Sequence, residues 1–317
     1  MIIDAHSHVW DNLAGIHLGL PIKGERCGRA YVGTELQAFM PPSYLDTVSH
    51  PEIWLEYMDR EGVDKTILPM SGFYGALNQY VSKVVRQWPD RFAALGQIDY
   101  WLGQKLYDRA ADEVDRLVND YGLLGVKFDI SDHHELVYST NPEFCFDCEG
   151  MHRVWARVAA LDAVVCLHPA WTARGRRQQQ ELTNVLAEYP YIRLVIAHLG
   201  VTMGLPEPEH LDTWLGWLDF VKKHPLASFD FQPFCYSYVL RDLDPEYPYP
   251  RWQTEILQRA VQTVGPEKLM WSLDGPWGLM FFTYRQAIDI VRRHCHFLSP
   301  EEKALVLGEN AKRIYCL

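Results

Sequence analysis

The sequence has no dense run of basic residues and no apolar segment of the length that a membrane span requires. Its 317 residues include 41 acidic and 30 basic side chains, for a formal net charge of −11, which argues against nucleic acid or an anionic membrane surface as a partner. No stretch reaches the roughly 18 apolar residues of a transmembrane helix. The chain opens directly into an apolar segment without a basic leader, so we expect a cytoplasmic protein.

Cysteines are few and follow no pattern. There are seven, an odd number at irregular spacing, which favours reduced thiols over a disulfide framework. Cys145 and Cys148 form a C-x-x-C motif, but the sequence has no second pair that would complete a zinc knuckle. The cysteines therefore indicate neither a secreted disulfide scaffold nor a structural zinc site.

The sequence does have a regular alternation of apolar and amphipathic segments. Hydrophobic residues make up 48% of the chain, which is enough for a large core. The apolar segments, typical of strands buried on both faces, are 2–5, 64–69, 92–98, 123–128, 163–167, 192–197, 226–231 and 269–273. The helical segments between and after them are 52–62, 80–88, 107–121, 151–161, 177–189, 211–224, 254–264 and 284–294. Eight such units predict an α/β fold, a (β/α)₈ TIM barrel that forms a single domain over residues 1–317.

The connection after the first strand is much longer than the others. Residues 10–51 contain glycine, proline and arginine but little periodicity. Because long connections at the C-terminal ends of barrel strands surround the active site, we interpret this insertion as a lid. Near the C-terminus, Ser299 followed by Pro300, Glu301 and Glu302 predicts a capped helix start.

Polar side chains follow several of the predicted strands. His6 and His8 end the first strand and, because side chains alternate along a strand, point to the same side. The other strand ends carry Lys127 and Asp129, His168, His198, and Asp274. Since the C-terminal ends of barrel strands meet at one mouth, these groups converge on one candidate metal site. His133 and His134 lie just beyond the fourth strand, from which they could also reach the mouth.

These motifs together resemble the amidohydrolase-related metal enzymes (amidohydrolase family 2), and within them the branch of aminocarboxymuconate-semialdehyde decarboxylase. The matching pieces occur in order along nearly the whole chain. They are Asp4-Ala5-His6-Ser7-His8, Gly62-Val63-Asp64-Lys65, Trp88-Pro89-Asp90-Arg91-Phe92, Leu95-Gly96, residues 122–126, Leu167-His168-Pro169, Ala197-His198-Leu199-Gly200, Leu273-Asp274-Gly275-Pro276 and Gly308-Glu309-Asn310-Ala311. One departure is at the eighth strand, where the family commonly has Thr-Asp-Tyr/Phe-Pro.

The resemblance implies a metal centre with defined roles. His6, His8, His168 and Asp274 would bind one divalent ion, most simply Zn²⁺, with Mn²⁺, Co²⁺ or Fe²⁺ as alternatives. His198 would be the general acid/base beside a metal-bound water, sharing proton transfer with Asp274; His198 as a fifth ligand is the less favoured reading.

Lys127 has two interpretations. In some relatives a lysine at this strand end is carbamylated and bridges two metal ions. The branch resembled here is usually mononuclear, so we favour Lys127 as a lysine of the pocket.

Two reactions suit the same ligand set. The resemblance favours non-oxidative decarboxylation of a small aromatic or unsaturated carboxylic acid. The close alternative is hydrolysis of a lactone or amide. Less favoured alternatives are hydration of an unsaturated acid and a barrel that has lost catalysis. The resemblance also implies a homodimer.

An anionic substrate would need cationic and aromatic partners. Candidate carboxylate-binding residues are Arg26 and Arg29 in the insertion, Arg174 after the fifth strand, and Lys127, because guanidinium and ammonium groups pair with carboxylates. Three tryptophans each follow closely on a proposed site residue and could line a pocket for a conjugated substrate: Trp171, Trp10 and Trp277. Surface positions for the arginines and ordinary packing for the tryptophans are the alternatives.

Overall fold

Eight parallel strands form the centre of the molecule. The structure, a computed structural model, describes residues 1–132, 136–200, 208–233 and 246–317. The barrel strands are β1 (Ile3–Asp4), β6 (Lys65–Pro69), β7 (Phe92–Gln97), β8 (Gly125–Asp129), β9 (Val164–His168), β10 (Leu194–Ile196), β11 (Ala227–Phe231) and β12 (Leu269–Trp271), paired in that order. The backbone N–H of Ala5 donates to the carbonyl of Trp271 at 3.1 Å, which joins the first strand to the last. The predicted TIM barrel is confirmed.

A second, antiparallel sheet lies between β1 and β6. It consists of β2 (Ile16–His17), β3 (Leu20–Gly24), β4 (Arg29–Val32) and β5 (Glu35–Ala38), in that order. The sequence predicts an irregular segment here, and the sheet was not predicted. One face of the sheet is exposed and its strands are short, so only Ile22, Ala30 and Val32 form a buried alternating pattern. A role of this segment as a lid stays a prediction.

Helices follow the barrel strands and cover the outside of the barrel. They are α1 (Pro51–Glu61), α2 (Asn78–Gln87), α3 (Asp99–Gly103), α4 (Tyr107–Asp115), α5 (Leu136–Thr140), α6 (Glu149–Ala160), α7 (Ala173–Glu188), α8 (Pro208–Lys223), α9 (Gln258–Val264), α10 (Tyr284–Asp289), α11 (Pro300–Ala304) and α12 (Asn310–Tyr315). The short helices α3 and α5 were not predicted. The capping box of Ser299 and Glu302 at α11 is present, as predicted. None of the helices in the described part of the chain is both long and apolar enough to cross a membrane.

The alternation of side chains along the strands divides the core into two layers. Ile3, Ile67, Cys166, Val195 and Met270 pack inside the barrel. Their neighbours along each strand face outward and pack against the helices in a larger cluster. The inner layer closes the barrel below the mouth, so polar side chains near the C-terminal strand ends face the remaining space. Residues 133–135, which include His133 and His134, lie outside the described residues.

Candidate metal centre

The end of β1 presents two histidines to the barrel mouth. The ring centroids of His6 and His8 lie 5.0 Å apart, and both side chains are buried. Ser7 points the other way, where its hydroxyl donates to Asp4 Oδ2 at 2.8 Å and accepts from the backbone N–H of Gly275 at 3.0 Å. The alternation predicted for this motif is therefore present, and its outward residue anchors the segment after β12.

Asp4 is a buried carboxylate that the sequence analysis did not assign to any role. It accepts hydrogen bonds from the backbone N–H of Leu273 at 2.9 Å and from the hydroxyl of Tyr284 at 3.1 Å, besides that from Ser7. Burial raises the pKa of Asp4 to about 7, although these hydrogen bonds oppose the shift. Asp4 joins β1, the segment after β12 and helix α10 directly beneath the histidines.

Asp274 lies beside the β1 histidines because the chain turns sharply after β12. Its φ is +55°, and its backbone N–H donates to the carbonyl of His6 at 2.7 Å. The side chain Oδ1 lies 3.3 Å from Nε2 of His8. Burial raises the pKa of Asp274, but the hydrogen bond from His8 and the electrostatic influence of the neighbouring His198 and His6 outweigh burial, and the pKa lies well below its usual range. Asp274 is therefore a buried carboxylate anion.

His6, His8 and Asp274 form a set of donors that fits a divalent transition metal. One donor atom from each residue lies within 4.8 Å of the others, and all three residues are at most 2% exposed. Nδ1 of His6 is 2.9 Å from Oδ2 of Asp230, the carboxylate contact that metal-binding imidazoles commonly make through their second nitrogen. Two imidazoles and a carboxylate suit Zn²⁺, Mn²⁺ or Fe²⁺. Three of the four predicted ligands are thus brought together.

His168, the fourth predicted ligand, is the last residue of β9 and lies next to this set. Its Nδ1 is 3.0 Å from Oδ1 of Asp129, and the other oxygen of this carboxylate, Oδ2, accepts a hydrogen bond from the hydroxyl of Ser71. The ring centroid of His168 lies 4.6 Å from that of His198. His168 as a ligand stays a prediction, and Asp129 is the group that orients its ring.

His198 lies between the two groups of histidines. Its ring centroid is 4.7 Å from that of His6, and its backbone adopts a left-handed conformation with φ +57°. The backbone N–H of His198 donates to Asp230 Oδ1 at 2.9 Å, and its Nδ1 lies 3.0 Å from Oε1 of Gln232. Burial, with the charges of His168 and His6, lowers the pKa of His198 well below its usual value, so its imidazole is neutral.

Lys127 is inside the centre rather than at its edge. Its Nζ lies 3.2 Å from Nε2 of His6, and the residue is 2% exposed. A second set of donor atoms, from His6, Cys166 and Asp230, lies deeper in the barrel, again within 4.8 Å of one another. Cys166 was not predicted as a site residue, because its apolar neighbours in β9 make it indistinguishable from core.

The other predicted substrate residues lie in two different environments. The backbone N–H of Trp171 donates to Asp132 Oδ2 at 2.8 Å, and the guanidinium of Arg174 lies 3.6 Å from Asp132 Oδ1 and 4.1 Å above the ring of Tyr138. Arg26 and Arg29 have exposed side chains next to and on the small antiparallel sheet, where Nε of Arg29 donates to the carbonyl of Arg26 at 3.3 Å. The structure therefore does not bring these two arginines to the buried histidines.

Aromatic rings border the histidines on the β1 side. The ring of Tyr74 stacks on Trp10 with a centroid distance of 4.6 Å and lies 4.4 Å from the ring of His8. Phe39, directly after β5, stacks on Phe73 at 5.3 Å. The segment that contains the small sheet thus contacts the mouth of the barrel through an aromatic side chain. Trp10 was predicted for this position, whereas Tyr74 and Phe39 were not.

The sequence profile of one protein family matches almost the whole chain. The family is described as amidohydrolase (Amidohydro_2), and residues 3–317 match. The chain belongs to this family. The prediction of an enzyme of the amidohydrolase superfamily is thereby confirmed. A comparison with curated protein sequences gave no match.

Solved structures share the fold at low sequence identity. A probable 2-pyrone-4,6-dicarboxylic acid hydrolase from Acinetobacter baumannii, with citric acid bound, is 17% identical with a TM-score of 0.67, covering 100% of this chain and 99% of the other. The 5-carboxyvanillate decarboxylase of Sphingomonas paucimobilis is 19% identical (TM-score 0.57; 86% and 84% covered). A dihydroxybenzoic acid decarboxylase from a Polaromonas species, with manganese and the inhibitor 2-nitroresorcinol, is 17% identical (TM-score 0.59; 86% and 87% covered).

Proposed function

We propose that this protein is a metal-dependent non-oxidative decarboxylase of a small aromatic or conjugated carboxylic acid. The observation that carries the proposal is a buried centre bordered by aromatic rings: His6, His8, His168, His198 and Asp274 are at most 2% exposed, and Tyr74 stacks on Trp10 and contacts His8. Loss of CO₂ consumes no water, and it turns a carboxylate charge into a neutral product. A water-poor site favours such a reaction.

The metal would be held by His6, His8 and Asp274, with His168 as the further ligand. A bound divalent ion supplies Lewis acidity that polarises a substrate oxygen. Asp230 orients His6 through Nδ1, and Asp129 orients His168 through Nδ1. The ion is proposed as Zn²⁺ or Mn²⁺; manganese is present in the dihydroxybenzoic acid decarboxylase structure.

His198 is the residue placed to move a proton. It lies between His6 and His168, and its Nδ1 faces Gln232. Its Nε2 would take up a proton from solvent and give it to the ring carbon that carries the carboxylate. The bond between that carbon and the carboxylate then breaks, its electron pair restores the conjugated system, and CO₂ leaves. Asp274, an anion beside the histidines, would share this proton transfer.

The surroundings of the centre suggest how a substrate is held. Trp10 and Tyr74 offer a stacking surface, and Lys127 offers a buried cation close to His6. Trp171 and Arg174 are the proposed contacts on the β9 side. The segment 10–51 would cover the mouth as a lid, since Phe39 packs against Phe73 near the aromatic border.

Hydrolysis of a lactone is the second candidate. One observation favours it: the probable 2-pyrone-4,6-dicarboxylic acid hydrolase aligns over 100% of this chain and 99% of its own, whereas the two decarboxylases align over 86%. In that reaction a water would attack the lactone carbonyl while His198 takes its proton. The ring C–O bond then breaks, and the proton passes to the leaving oxygen.

The experiment that tests the proposal is a screen with carboxyl-¹³C-labelled hydroxybenzoates, detecting labelled CO₂, run in parallel with a screen of lactones for ring opening. We expect labelled CO₂ from the metal-loaded protein and none from His198→Asn that retains its metal. Ring opening without CO₂ would favour the hydrolase, and a fully active His198→Asn would contradict the role of His198.

A further inference from the structure

Gln232 lies at the mouth of the barrel, just beyond the end of β11. Along this strand Phe229 and Phe231 pack outward against the helices. Because side chains alternate, Ser228, Asp230 and Gln232 share the inner face, with Gln232 nearest to the C-terminal end. Gln232 is completely buried. It therefore lies above Asp230, on the side from which a substrate would approach.

One end of the Gln232 amide contacts the proton-transfer residue. Oε1 lies 3.0 Å from Nδ1 of His198, while Asp230 holds the backbone N–H of the same histidine at 2.9 Å. An amide oxygen only accepts hydrogen bonds, so this contact requires a proton on Nδ1. A neutral imidazole with its proton on Nδ1 keeps the lone pair of Nε2 for other partners. The neighbouring rings of His6 and His168 border that position.

The other end of the amide has no hydrogen-bond partner among the described residues. The buried Nε2 of Gln232 meets no acceptor there. Buried polar groups are almost always paired, and an unpaired buried donor is costly, so such a group in a native protein calls for an explanation. An NH₂ group donates hydrogen bonds, and the partner that satisfies it is an oxygen acceptor.

We propose that Gln232 positions His198 and binds the substrate at the same time. Its Oε1 holds the tautomer of His198 in which Nδ1 carries the proton, and its NH₂ group donates to an oxygen of a bound carboxylate. The carboxylate as ligand rests on the proposed function; the tautomer does not. Gln232 would therefore couple the orientation of the proton-transfer residue to the occupancy of the pocket.

Two substitutions separate the two halves of the proposal. Gln232→Glu keeps an oxygen acceptor for Nδ1–H but removes the donor and adds a negative charge that repels a carboxylate. Gln232→Met has a similar size and removes both acceptor and donor. Ser228→Ala, on the same inner face two positions before Asp230, is the matched control because the Ser228 hydroxyl has no hydrogen-bond partner among the described residues.

The first readout is the tautomer of His198 in the zinc-loaded protein labelled with ¹⁵N-histidine. Long-range ¹H–¹⁵N spectra distinguish Nδ1–H from Nε2–H, and the signals are assigned by their loss in His198→Asn. We expect Nδ1–H in the natural sequence, in Ser228→Ala and in Gln232→Glu, and a loss of this preference in Gln232→Met. A proton on Nε2 in the natural sequence would mean that the amide is turned round, and it would overturn the proposal.

The second readout is binding of 2-hydroxybenzoate, measured by calorimetry. A hydrogen bond to a carboxylate predicts binding about tenfold weaker in Gln232→Met and weaker still in Gln232→Glu, with Ser228→Ala unchanged. Equal affinity in all four proteins, or no binding by the natural sequence, would overturn the carboxylate contact. Binding that depends on Gln232 without CO₂ release would overturn the proposed reaction and leave this inference standing.

Discussion

At the scale of single residues, the carboxylates that contact the histidines determine how the centre is arranged. Asp230 contacts both Nδ1 of His6 and the backbone N–H of His198, each at 2.9 Å. Asp129, on the neighbouring strand β8, contacts Nδ1 of His168 at 3.0 Å. Imidazoles held in this way keep one nitrogen for a metal or a proton.

Replacing Asp230 by alanine is expected to weaken metal binding about 10- to 100-fold, because His6 loses the partner that fixes its ring. The measurement is a competition with a chromogenic chelator. Ser228→Ala, on the same face of β11, serves as the control and should bind metal as the natural sequence does. Unchanged affinity in Asp230→Ala would show that His6 is not held through this contact.

The buried carboxyl group of Asp99 is expected to make the free energy of unfolding depend on pH. Burial, with the negative charge of Asp129, raises the pKa of Asp99 from 3.8 to about 8. The folded protein then binds a proton that the unfolded chain has lost, so the free energy of unfolding falls as the pH rises from about 4 to about 8. The slope from this one group is about 1 kcal/mol per pH unit.

Asp99→Asn is expected to remove that contribution. In urea unfolding of metal-saturated protein at pH 5 to 8, the variant should gain stability relative to the natural sequence as the pH rises. Asp46→Asn, at an exposed position, is the control. If the free energy of unfolding changed with pH in the same way for Asp99→Asn and the natural sequence, the raised pKa of Asp99 would be contradicted.

Residue by residue, the sequence predicted those site positions that stand at strand ends. The structure brings His6, His8 and Asp274 together, and the sequence predicted them because polar side chains there interrupt apolar runs; their role as ligands stays a prediction. Asp230 and Gln232 were missed, although the alternation Ser228, Phe229, Asp230, Phe231 and Gln232 carries the signal of an inner polar face. Arg26 and Arg29 were assigned from charge alone, and charge does not reveal which way a side chain points.

At the scale of elements, the metal-binding segments depend on how β1 is joined to the end of β12. Asp4 on β1 accepts hydrogen bonds from Leu273, Ser7 and Tyr284, and the backbone N–H of His8 donates to the carbonyl of Gly275 at 2.7 Å. These contacts bring His8 and Asp274 side by side. Apart from the local bond from Ser7, these contacts join residues about 270 to 280 positions apart, which is why no local pattern predicted them.

Tyr284→Phe is expected to lower the free energy of unfolding by about 1 to 2 kcal/mol, because Asp4 loses one buried hydrogen-bond donor while the ring packing is kept. Tyr57→Phe is the control, since the ring of Tyr57 packs 6.1 Å from that of Tyr284. Denaturant unfolding measures both. A loss in Tyr284→Phe no larger than in Tyr57→Phe would mean that the hydrogen bond to Asp4 contributes nothing.

At the scale of the whole molecule, the regular alternation of buried strands and amphipathic helices was sufficient to predict the barrel. Strand β10 begins two residues later than predicted, at Leu194, and ends at Ile196, just before the left-handed turn at His198. The antiparallel sheet over residues 16–38 was not predicted, since most of its side chains are exposed and interrupt the apolar pattern.

The resemblance to dimeric relatives predicts a homodimer. Sedimentation velocity of the metal-loaded protein should give twice the mass of one chain over a tenfold range of concentration. The mass of a single chain throughout that range would contradict this prediction. The location of the protein in the cytoplasm is a separate prediction, for which fractionation of the source cells is the measurement.

The central claim is a single metal ion held by His6 and His8, just beyond β1, and by Asp274, just beyond β12. Elemental analysis of the purified protein, without added chelator, tests it most directly, with His8→Ala and Cys166→Ala as the matched pair for the two donor sets. We predict about one divalent ion per chain in the natural sequence and in Cys166→Ala, and a large loss in His8→Ala. Two ions per chain would favour a carbamylated Lys127 bridging a binuclear site. No metal after reconstitution, or a loss only in Cys166→Ala, would contradict the account.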